Sequence, residues 1–539
     1  MYLAMLRKNT YVKGAAYGDL PFHLNIISSF AWGANNRRES LYDVKSVFYM
    51  KTRLAYPFIP NFLSAALIAT GKATLRASLI FPSILMSFSL VIGIYLVSFI
   101  FTKNHLMALL SLILFCNLGG LGWLYAFDMS RDHMDFVHDW GKSQNEYWFH
   151  PIFHVIVPQR ASLFSMPLCY WCLICLLNGI QKKQWQFFLL AAFYVGFTPL
   201  VQIHSYVGLA QWSICYAAIT FPWNKRSKWP KYIFYWAIFG IVANVMALPQ
   251  IPPYLGRLEA NRKEFIQLNP IWSNKFSQFN IFAPVVCWWR GLGIFGAIAL
   301  VCGWVTLKRS QLIMYAPSMI VWLITNIIRY QPWELDNTKV FYAVWIPLAL
   351  CVVSQFYVIL MRYPKLIPLV SILLFSSCLS AGIHTVDCLV STSQIYFDND
   401  FEFGEWIAEN IPVKAMTISS DAHNHPVSNI AGRFMFEGYG GWVASHGLEW
   451  FEHESERRTL TENPDLTQDF IDNNISYMLA LNREYKEFTK INDSETWLKV
   501  YEDPIHEVWR FVPPINKKEL EIPENIKTDV EKIRRSTFK

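Results

Sequence analysis

Asp19 and His23 lie four residues apart near the beginning of the chain, in segment 18–23, which reads Gly-Asp-Leu-Pro-Phe-His. Side chains four residues apart are neighbours on one face of a helix. A carboxylate in this position is suited to act as a general base toward an acceptor hydroxyl, and the imidazole beside it can contact a phosphate leaving group. The pair therefore indicates a candidate catalytic site.

A simpler interpretation of the same segment stays open. Leu20, Leu24 and Ile27 recur at helical spacing, and Asp19 stands where the N-cap of a helix would stand. We predict a helix over residues 18–32, which is either a capped surface helix or the carrier of a catalytic carboxylate.

A second acidic segment, 127–139, follows the second long apolar run. Asp128 and Asp132 are spaced to lie on one helical face. They indicate a site that holds a divalent ion such as Mg²⁺ or Mn²⁺, or that positions a donor. The alternative is a solvated helix at the membrane surface. No cofactor beyond that ion is implied.

Basic and amide side chains at the membrane boundary are suited to bind the phosphate of a lipid. One group stands at the mouth of a predicted span, where the alternative for the arginine is snorkelling to lipid head groups. It consists of His154, Gln159 and Arg160. A second group lies between two spans, where intramembrane-edge charges are expected to be functional. It consists of Arg329, Asp336, Asn337 and Lys339.

The densest polar motif lies in segment 421–447, which combines glycines with aromatic, histidine and arginine side chains. Glycines let a ligand approach the backbone, and aromatic rings suit a sugar or peptide. We expect the segment to recognise an acceptor or donor, or to dock its domain on the membrane part; a metal site is a further alternative. The residues singled out are His425, Arg433, Trp442 and His446.

Membrane spans are the elements that must position these residues. Of 539 residues, 53% are hydrophobic and 16% are charged, against about 25% charged in soluble domains. Apolar runs of about 17 to 25 residues, long enough to cross a bilayer, predict a polytopic α-helical membrane protein. We predict ten spans, at 77–101, 105–127, 161–180, 185–203, 206–222, 232–252, 285–306, 311–328, 339–361 and 366–386.

The loops between the spans are asymmetric in charge. Short acid-free loops carry Lys103, Lys182 with Lys183, segment 225–228, Lys308 with Arg309, and Arg362 with Lys365. These loops are expected to face the cytoplasm. Residues 1–76 and the tail from 387 then face the lumen or exterior, as do loops 128–160, 253–284 and 329–338 and the tight turn at 204–205. Because segment 1–76 must reach that side, we expect a first helix to be missing, which would make eleven spans. A sided layout without a repeat argues against a symmetric carrier.

The domain organisation follows from this topology. Residues 1–76 form a first lumenal loop with interfacial helices, and residues 77–386 form the transmembrane domain. Residues 387–514 are expected to form a lumenal α/β domain, with a helix at 401–410, strands at 414–419 and 475–481, and a hairpin of 497–501 with 505–511. Residues 515–539 are a charged, flexible tail. The net charge of +7 lies partly in the loops and the tail, so it does not imply nucleic acid.

Segment 18–23, followed by Tyr56-Pro57 and an amphipathic helix that runs into the first long span, resembles the first lumenal loop of the GT-C superfamily. These are integral membrane glycosyltransferases that use polyprenyl-phosphate-linked sugars. The resemblance implies that Asp19 is the catalytic acidic residue, that transfer inverts the anomeric centre, and that Asp128 and Asp132 belong to a second acidic motif. Segment 333–339, Trp-x-x-Asp-Asn-x-Lys, resembles a poorly characterised subgroup. The Trp-Trp-Asp-Tyr-Gly signature of oligosaccharyltransferases is absent, which disfavours protein N-glycosylation.

We therefore expect a hexosyltransferase that moves a sugar from a polyprenyl- or dolichyl-phosphate carrier to a lumenal glycan or protein acceptor. Its location would be the endoplasmic reticulum membrane of a eukaryote or the plasma membrane of a prokaryote, and a membrane-protein partner is compatible with the layout. The alternative is a non-catalytic protein of the same fold that binds lipid-linked glycans or acts as an assembly or chaperone subunit. A transporter is a third alternative.

Overall fold

The computed structural model of the chain describes residues 11–13, 16–125, 150–255, 266–268, 283–331, 334–481 and 488–513. Asp128 and Asp132, most of loop 253–284 and the tail 515–539 lie outside the described residues. The described part is largely helical, with a five-stranded sheet near the C-terminal end.

Six of the described helices are long and apolar enough to cross a membrane. They span Leu75–Thr102, Arg160–Lys182, Arg226–Gln250, Arg309–Ile327, Thr338–Leu360 and Pro364–Val390. The other predicted spans fall on the helices His105–Cys116, Trp185–Gly196, Ile203–Thr220 and Ala283–Leu300. The first two of these are shorter than expected, since the predicted spans 105–127 and 185–203 included residues that follow the helix. Each predicted span therefore coincides with a helix, while the number of spans stays a prediction.

The basic turns gather at one end of the helical bundle. Gln311 Nε2 donates to Phe101 O at 3.0 Å, which joins the beginning of one helix to the end of another beside Lys103. Tyr235 Oη donates to Lys183 O at 2.7 Å and joins two further helices at their basic ends. This arrangement agrees with a single basic face, and its cytoplasmic orientation stays a prediction.

The C-terminal region forms a mixed α/β domain. Its sheet has the strand order Phe434–Met435, Met416–Ile418, Ile475–Leu481, His506–Phe511 and Trp497–Glu502. The first three strands are parallel, and the last two form an antiparallel hairpin. Its helices are Asp398–Asn410, Pro426–Asn429, Gly440–Ser445, Phe451–Glu462 and Thr467–Asp472. The predicted strands and hairpin are confirmed.

The N-terminal segment is built into this domain. Strand Tyr11–Lys13 pairs with Thr392–Gln394 in antiparallel fashion. Residues 47–50 add further backbone bonds along the edge of the sheet: Met435 N donates to Val47 O at 2.8 Å and Gly438 N to Phe48 O at 2.9 Å. The two ends of the chain therefore share one folded unit.

The first helix, Ala16–Ala31, is enclosed by this unit and by the helix Ile59–Gly71. All residues from Leu20 to Ala31 are buried, whereas Tyr17 and Gly18 are exposed and Asp19 is partly exposed. Of the two alternatives for this segment, the surface helix was wrong, because the polar face of the helix, which carries Ser28, is buried as well. Ser28 Oγ donates to Ser428 O at 3.1 Å. The helix begins at Ala16, so Asp19 lies inside its first turn and not at the predicted N-cap.

Gly432 allows the closest approach between this helix and the C-terminal domain. It has φ of +64°, and a Cβ added to it would lie 2.7 Å from the carbonyl carbon of Ser28. Both the left-handed conformation and the contact oppose any other residue.

We predict that Gly432→Ala lowers the stability of the protein by at least about 1–2 kcal/mol, the cost of a left-handed alanine alone. The measurement is thermal unfolding in detergent, followed by tryptophan fluorescence. Gly240→Ala is the matched control, because a Cβ at Gly240 meets nothing within 4 Å. Equal melting temperatures for the two variants would contradict the close approach.

Candidate active site

Asp19 lies in a cluster assembled from distant parts of the chain. It is near enough to Lys339 and Asp336 for both side chains to change its pKa. Burial by the surrounding protein raises the pKa of Asp19 to about 6, Lys339 lowers it, and Asp336 raises it. The predicted catalytic carboxylate and the predicted loop 329–338 are therefore brought together, and Asp19 changes charge near neutral pH.

Lys339 and Asp336 form a partly buried ion pair at the beginning of the helix Thr338–Leu360. Lys339 Nζ lies 2.7 Å from Asp336 Oδ2. Burial opposes the ionisation of Asp336, but Lys339, His204 and Gln331 outweigh it and hold its pKa below the ordinary value. Asp336 is therefore an anchored carboxylate that orients the ammonium group of Lys339.

Tyr56 forms another wall of the cluster. Burial raises the pKa of its phenol, and the negative charges of Asp19 and Asp336 raise it further. Its ring packs against Phe22 at a centroid distance of 4.7 Å. Tyr56 is therefore a neutral hydroxyl group next to the carboxylate of Asp19.

The polar atoms of His23 bond to protein groups that hold the local fold. It is 3% exposed. Its Nε2 lies 3.0 Å from Pro158 O, and Asn61 Nδ2 lies 3.2 Å from its Nδ1. These partners fit a neutral ring that donates from Nε2 and accepts at Nδ1. Burial and the charge of Arg160 lower the pKa of His23 to about 3, so the ring is neutral at physiological pH.

Arg160 is also committed to protein partners. Its guanidinium donates to Leu79 O at 3.2 Å, to Pro60 O at 3.0 Å and to Ser64 Oγ at 2.8 Å. It is 2% exposed. Arg160 therefore ties its own helix to the helices Ile59–Gly71 and Leu75–Thr102, and this position accounts for its burial without a lipid phosphate.

The remaining predicted phosphate ligands are scattered around the cluster. Asn337 is buried and closes its loop, accepting from Tyr330 N at 3.1 Å and donating to Ile328 O at 2.7 Å. Arg329 Nη2 donates to Gln267 Oε1 at 2.5 Å. Gln159 accepts from Ser162 Oγ, and His154 stacks on His384 at 4.6 Å. Of this predicted set, the structure brings Asp336 and Lys339 to Asp19.

The predicted residues of the C-terminal domain divide into two kinds. Arg433 is buried and donates to three backbone carbonyls, and His425 is buried at the N-cap of a short helix, where its Nδ1 accepts from Val427 N. Trp442 and His446, in contrast, pack their rings against Phe22 at 5.2 Å. The second pair therefore docks the domain beside Asp19.

Sequence reasoning missed three members of the cluster. Tyr56 was noted in the Tyr56-Pro57 step of the family resemblance, but it was assigned no role in the site. His204 and Gln331, which reach the cluster through Asp336, were assigned no role. The available signal was the position of His204 at a turn between two apolar segments, on the same predicted side as Asp19.

No group of three or more His, Cys, Asp or Glu side chains with the arrangement of a metal site occurs among the described residues. In segment 421–447, His425 accepts from Val427 N at the N-cap of a short helix. Asp128 and Asp132 lie outside the described residues, so the ion predicted for them stays a prediction.

No family model matches the chain, and no curated protein matches its sequence. Solved structures do match. The oligosaccharyltransferase of Archaeoglobus fulgidus, in its apo form, aligns with 91% of this chain and 70% of its own, at 11% identity and a TM-score of 0.53. The arabinofuranosyltransferase AftD from Mycobacteria aligns with 95% of this chain and 39% of its own, at 10% identity and a TM-score of 0.59.

The chain has the GT-C fold. The resemblance that segment 18–23 suggested is thereby confirmed at the level of the fold, over almost the whole chain. At 10–11% identity, the likeness does not extend to a substrate.

We predict that Arg160→Met destabilises the protein by at least about 2 kcal/mol, because it leaves buried carbonyls without their charged donor. Thermal unfolding and mass spectrometry of co-purified lipid are measured together. Arg309→Met, at an exposed position near the basic end of the bundle, is the control. Unchanged stability with loss of a bound lipid phosphate would instead support the predicted phosphate-binding role.

Proposed function

We propose that the protein is a glycosyltransferase that moves a sugar from a polyprenyl-phosphate carrier to an acceptor hydroxyl, with Asp19 as the general base. The observation that supports it best is the partly exposed Asp19, with its pKa of about 6, beside the ion pair of Lys339 and Asp336. A base whose pKa is close to the working pH is well suited to proton transfer. The two structural neighbours are both sugar-transferring enzymes by name.

The proposed reaction assigns one task to each side chain. The acceptor oxygen attacks the anomeric carbon of the donor, and the bond from that carbon to the phosphate oxygen breaks. The acceptor proton passes to Asp19, and the carrier leaves as a phosphate. Lys339 stabilises the developing phosphate charge, and Asp336 keeps the ammonium in place. Attack from the face opposite the phosphate inverts the anomeric centre.

The proposal also covers the transferred sugar, its carrier and the side of the membrane on which transfer takes place. We propose that the transferred sugar is a hexose and that the carrier is dolichyl phosphate in the endoplasmic reticulum or its bacterial counterpart in the plasma membrane. Residues 1–76 and 387–514 would form the lumenal or extracytoplasmic part. We predicted that His23 and Arg160 contact the leaving group. Because their polar atoms bond to backbone carbonyls of the protein, we propose instead that both residues stabilise the fold of this part.

We predict that Asp19→Asn lowers sugar transfer by about 100-fold or more, the usual contribution of a general base. Protein reconstituted in liposomes is given polyprenyl-phosphate hexoses with a radioactive sugar and membrane extract as the source of acceptor. Asp43→Asn is the control, because it makes the same change at a partly exposed carboxylate that pairs with Lys45 and Arg53 at the surface. Full activity of Asp19→Asn in cells lacking the native protein would favour the non-catalytic alternative, a lipid-linked-glycan binder or assembly subunit.

The transfer rate of the native protein should rise with pH through an inflection near 6, because Asp19 must lose its proton to act as the base. Lys339→Met should move the inflection to higher pH, since it removes the charge that lowers the pKa of Asp19. Asp336→Asn should move it to lower pH, since it removes the charge that raises that pKa. Lys45→Met is the control. Shifts in the same direction for both variants would contradict the assignment of the inflection to Asp19.

A further inference from the structure

Four aromatic rings form a row that begins at Tyr17, two residues before Asp19 on the same helix. Tyr17 lies 4.6 Å from His423, His423 lies 5.5 Å from Tyr439, and Tyr439 lies 5.7 Å from Trp442, all between ring centroids. We call these four side chains the aromatic row. The first belongs to the helix that carries Asp19, and the other three belong to the C-terminal domain.

Two members of the aromatic row are open to a ligand. Tyr17 is 40% exposed and Tyr439 is 39% exposed. The neighbouring position is open as well, because a Cβ added to Gly18 would meet no atom within 4 Å. A molecule lying on the row would therefore reach the exposed turn in which Asp19 lies.

The glycine-rich motif holds the row in place. A Cβ on Gly441 would lie 2.5 Å from Cε1 of Tyr439, so the ring of Tyr439 lies where any larger residue would place its side chain. A Cβ on Gly440 would likewise collide with the ring of Trp450. The Gly-Tyr-Gly-Gly-Trp sequence at 438–442 thus serves to position aromatic rings, and its backbone need not approach a ligand.

The other end of the row, Trp442, packs against the helix Ala16–Ala31, which carries Asp19. Trp442 packs edge-on against Phe22 at 5.2 Å and against Phe48 at 5.9 Å. Trp442 is 8% exposed, so it supports the row and offers little surface. The exposed rings of Tyr17 and Tyr439 are therefore held at a constant position relative to Asp19.

We propose that the aromatic row is the acceptor subsite and that the acceptor is a carbohydrate. The inference rests on the proposed function and deepens it. A sugar ring presents an apolar C–H face, which stacks on aromatic rings, and hydroxyls at its edge. The row matches this pattern, because each ring combines an apolar face with an O–H or N–H at its edge. Tyr17 precedes Asp19 by two residues in the exposed first turn of the helix, so a sugar stacked on the row would lie at the turn that holds the proposed base.

Saturation-transfer NMR on the full-length protein in detergent, without donor, tests this subsite with α-linked mannotriose and maltotriose as probes. We expect saturation to pass to the C–H face of at least one probe. Tyr17→Ala and Tyr439→Ala should each weaken its binding about threefold to tenfold, in keeping with the energy of one aromatic contact. Tyr439→Phe, which keeps the ring, should bind nearly as well as the native protein.

Tyr42→Ala is the matched control, since Tyr42 is also 40% exposed and lies in the loop after the first helix. No saturation transfer to either probe, or equal weakening by Tyr42→Ala and Tyr17→Ala, would overturn the proposal. If a short peptide displaced both probes while neither probe displaced the other, the row would be a peptide site. That result would also overturn the proposal. Because binding needs no catalysis, this result is independent of the effect of Asp19→Asn on transfer.

Discussion

The enclosure of the helix Ala16–Ala31 is the constraint on which the rest of the site depends. Its buried residues contact the C-terminal domain on one side, for example through Ser28 and Ser428, and the helix Ile59–Gly71 on the other, through His23 and Asn61. The exposed first turn is thereby fixed, and with it the carboxylate of Asp19. The two partners of the helix come from distant parts of the chain, near Asn61 and near Ser428. The candidate active site therefore forms only when both are folded against the helix.

Two opposing effects determine the charge of Asp19 within this frame. Burial disfavours a carboxylate, and an adjacent carboxylate disfavours it further, whereas a nearby ammonium favours it. Asp336 and Lys339 supply both influences and are themselves paired. The pair therefore contributes little net charge, and burial, which is the largest influence, raises the pKa of Asp19 to about 6. Such a group changes its protonation state near neutral pH, which an isolated surface aspartate does not.

The sequence predicted much of this arrangement from local patterns. Long apolar runs located the helices, the strands of the C-terminal domain fell close to their predicted positions, and segment 18–23 drew attention to Asp19, whose catalytic role stays a proposal. The charges of segment 329–339 also singled out Lys339 and Asp336, because charged groups between two spans are costly unless they interact. The two side chains form an ion pair that acts on the pKa of Asp19, and their binding of a lipid phosphate stays a prediction.

Other features could not be predicted from local sequence. An arginine at the mouth of a span has the same signature whether it binds a lipid phosphate or backbone carbonyls. Arg160 has carbonyl partners only because two other helices begin close to it. The burial of Ser28 depends on Ser428, which lies 400 residues further along the chain. His204 and Tyr56 joined the cluster through tertiary packing, which no spacing in the sequence records.

The central claim is that Asp19 and Lys339 line one reaction centre. A cryo-EM map of Asp19→Asn with a bound polyprenyl-phosphate hexose tests it most directly, since that variant should hold the donor without consuming it. We predict that the lipid phosphate lies within hydrogen-bond distance of Lys339 Nζ and that the anomeric carbon faces residue 19. A donor phosphate bound at a distance from Lys339, with its sugar away from residue 19, would contradict the account.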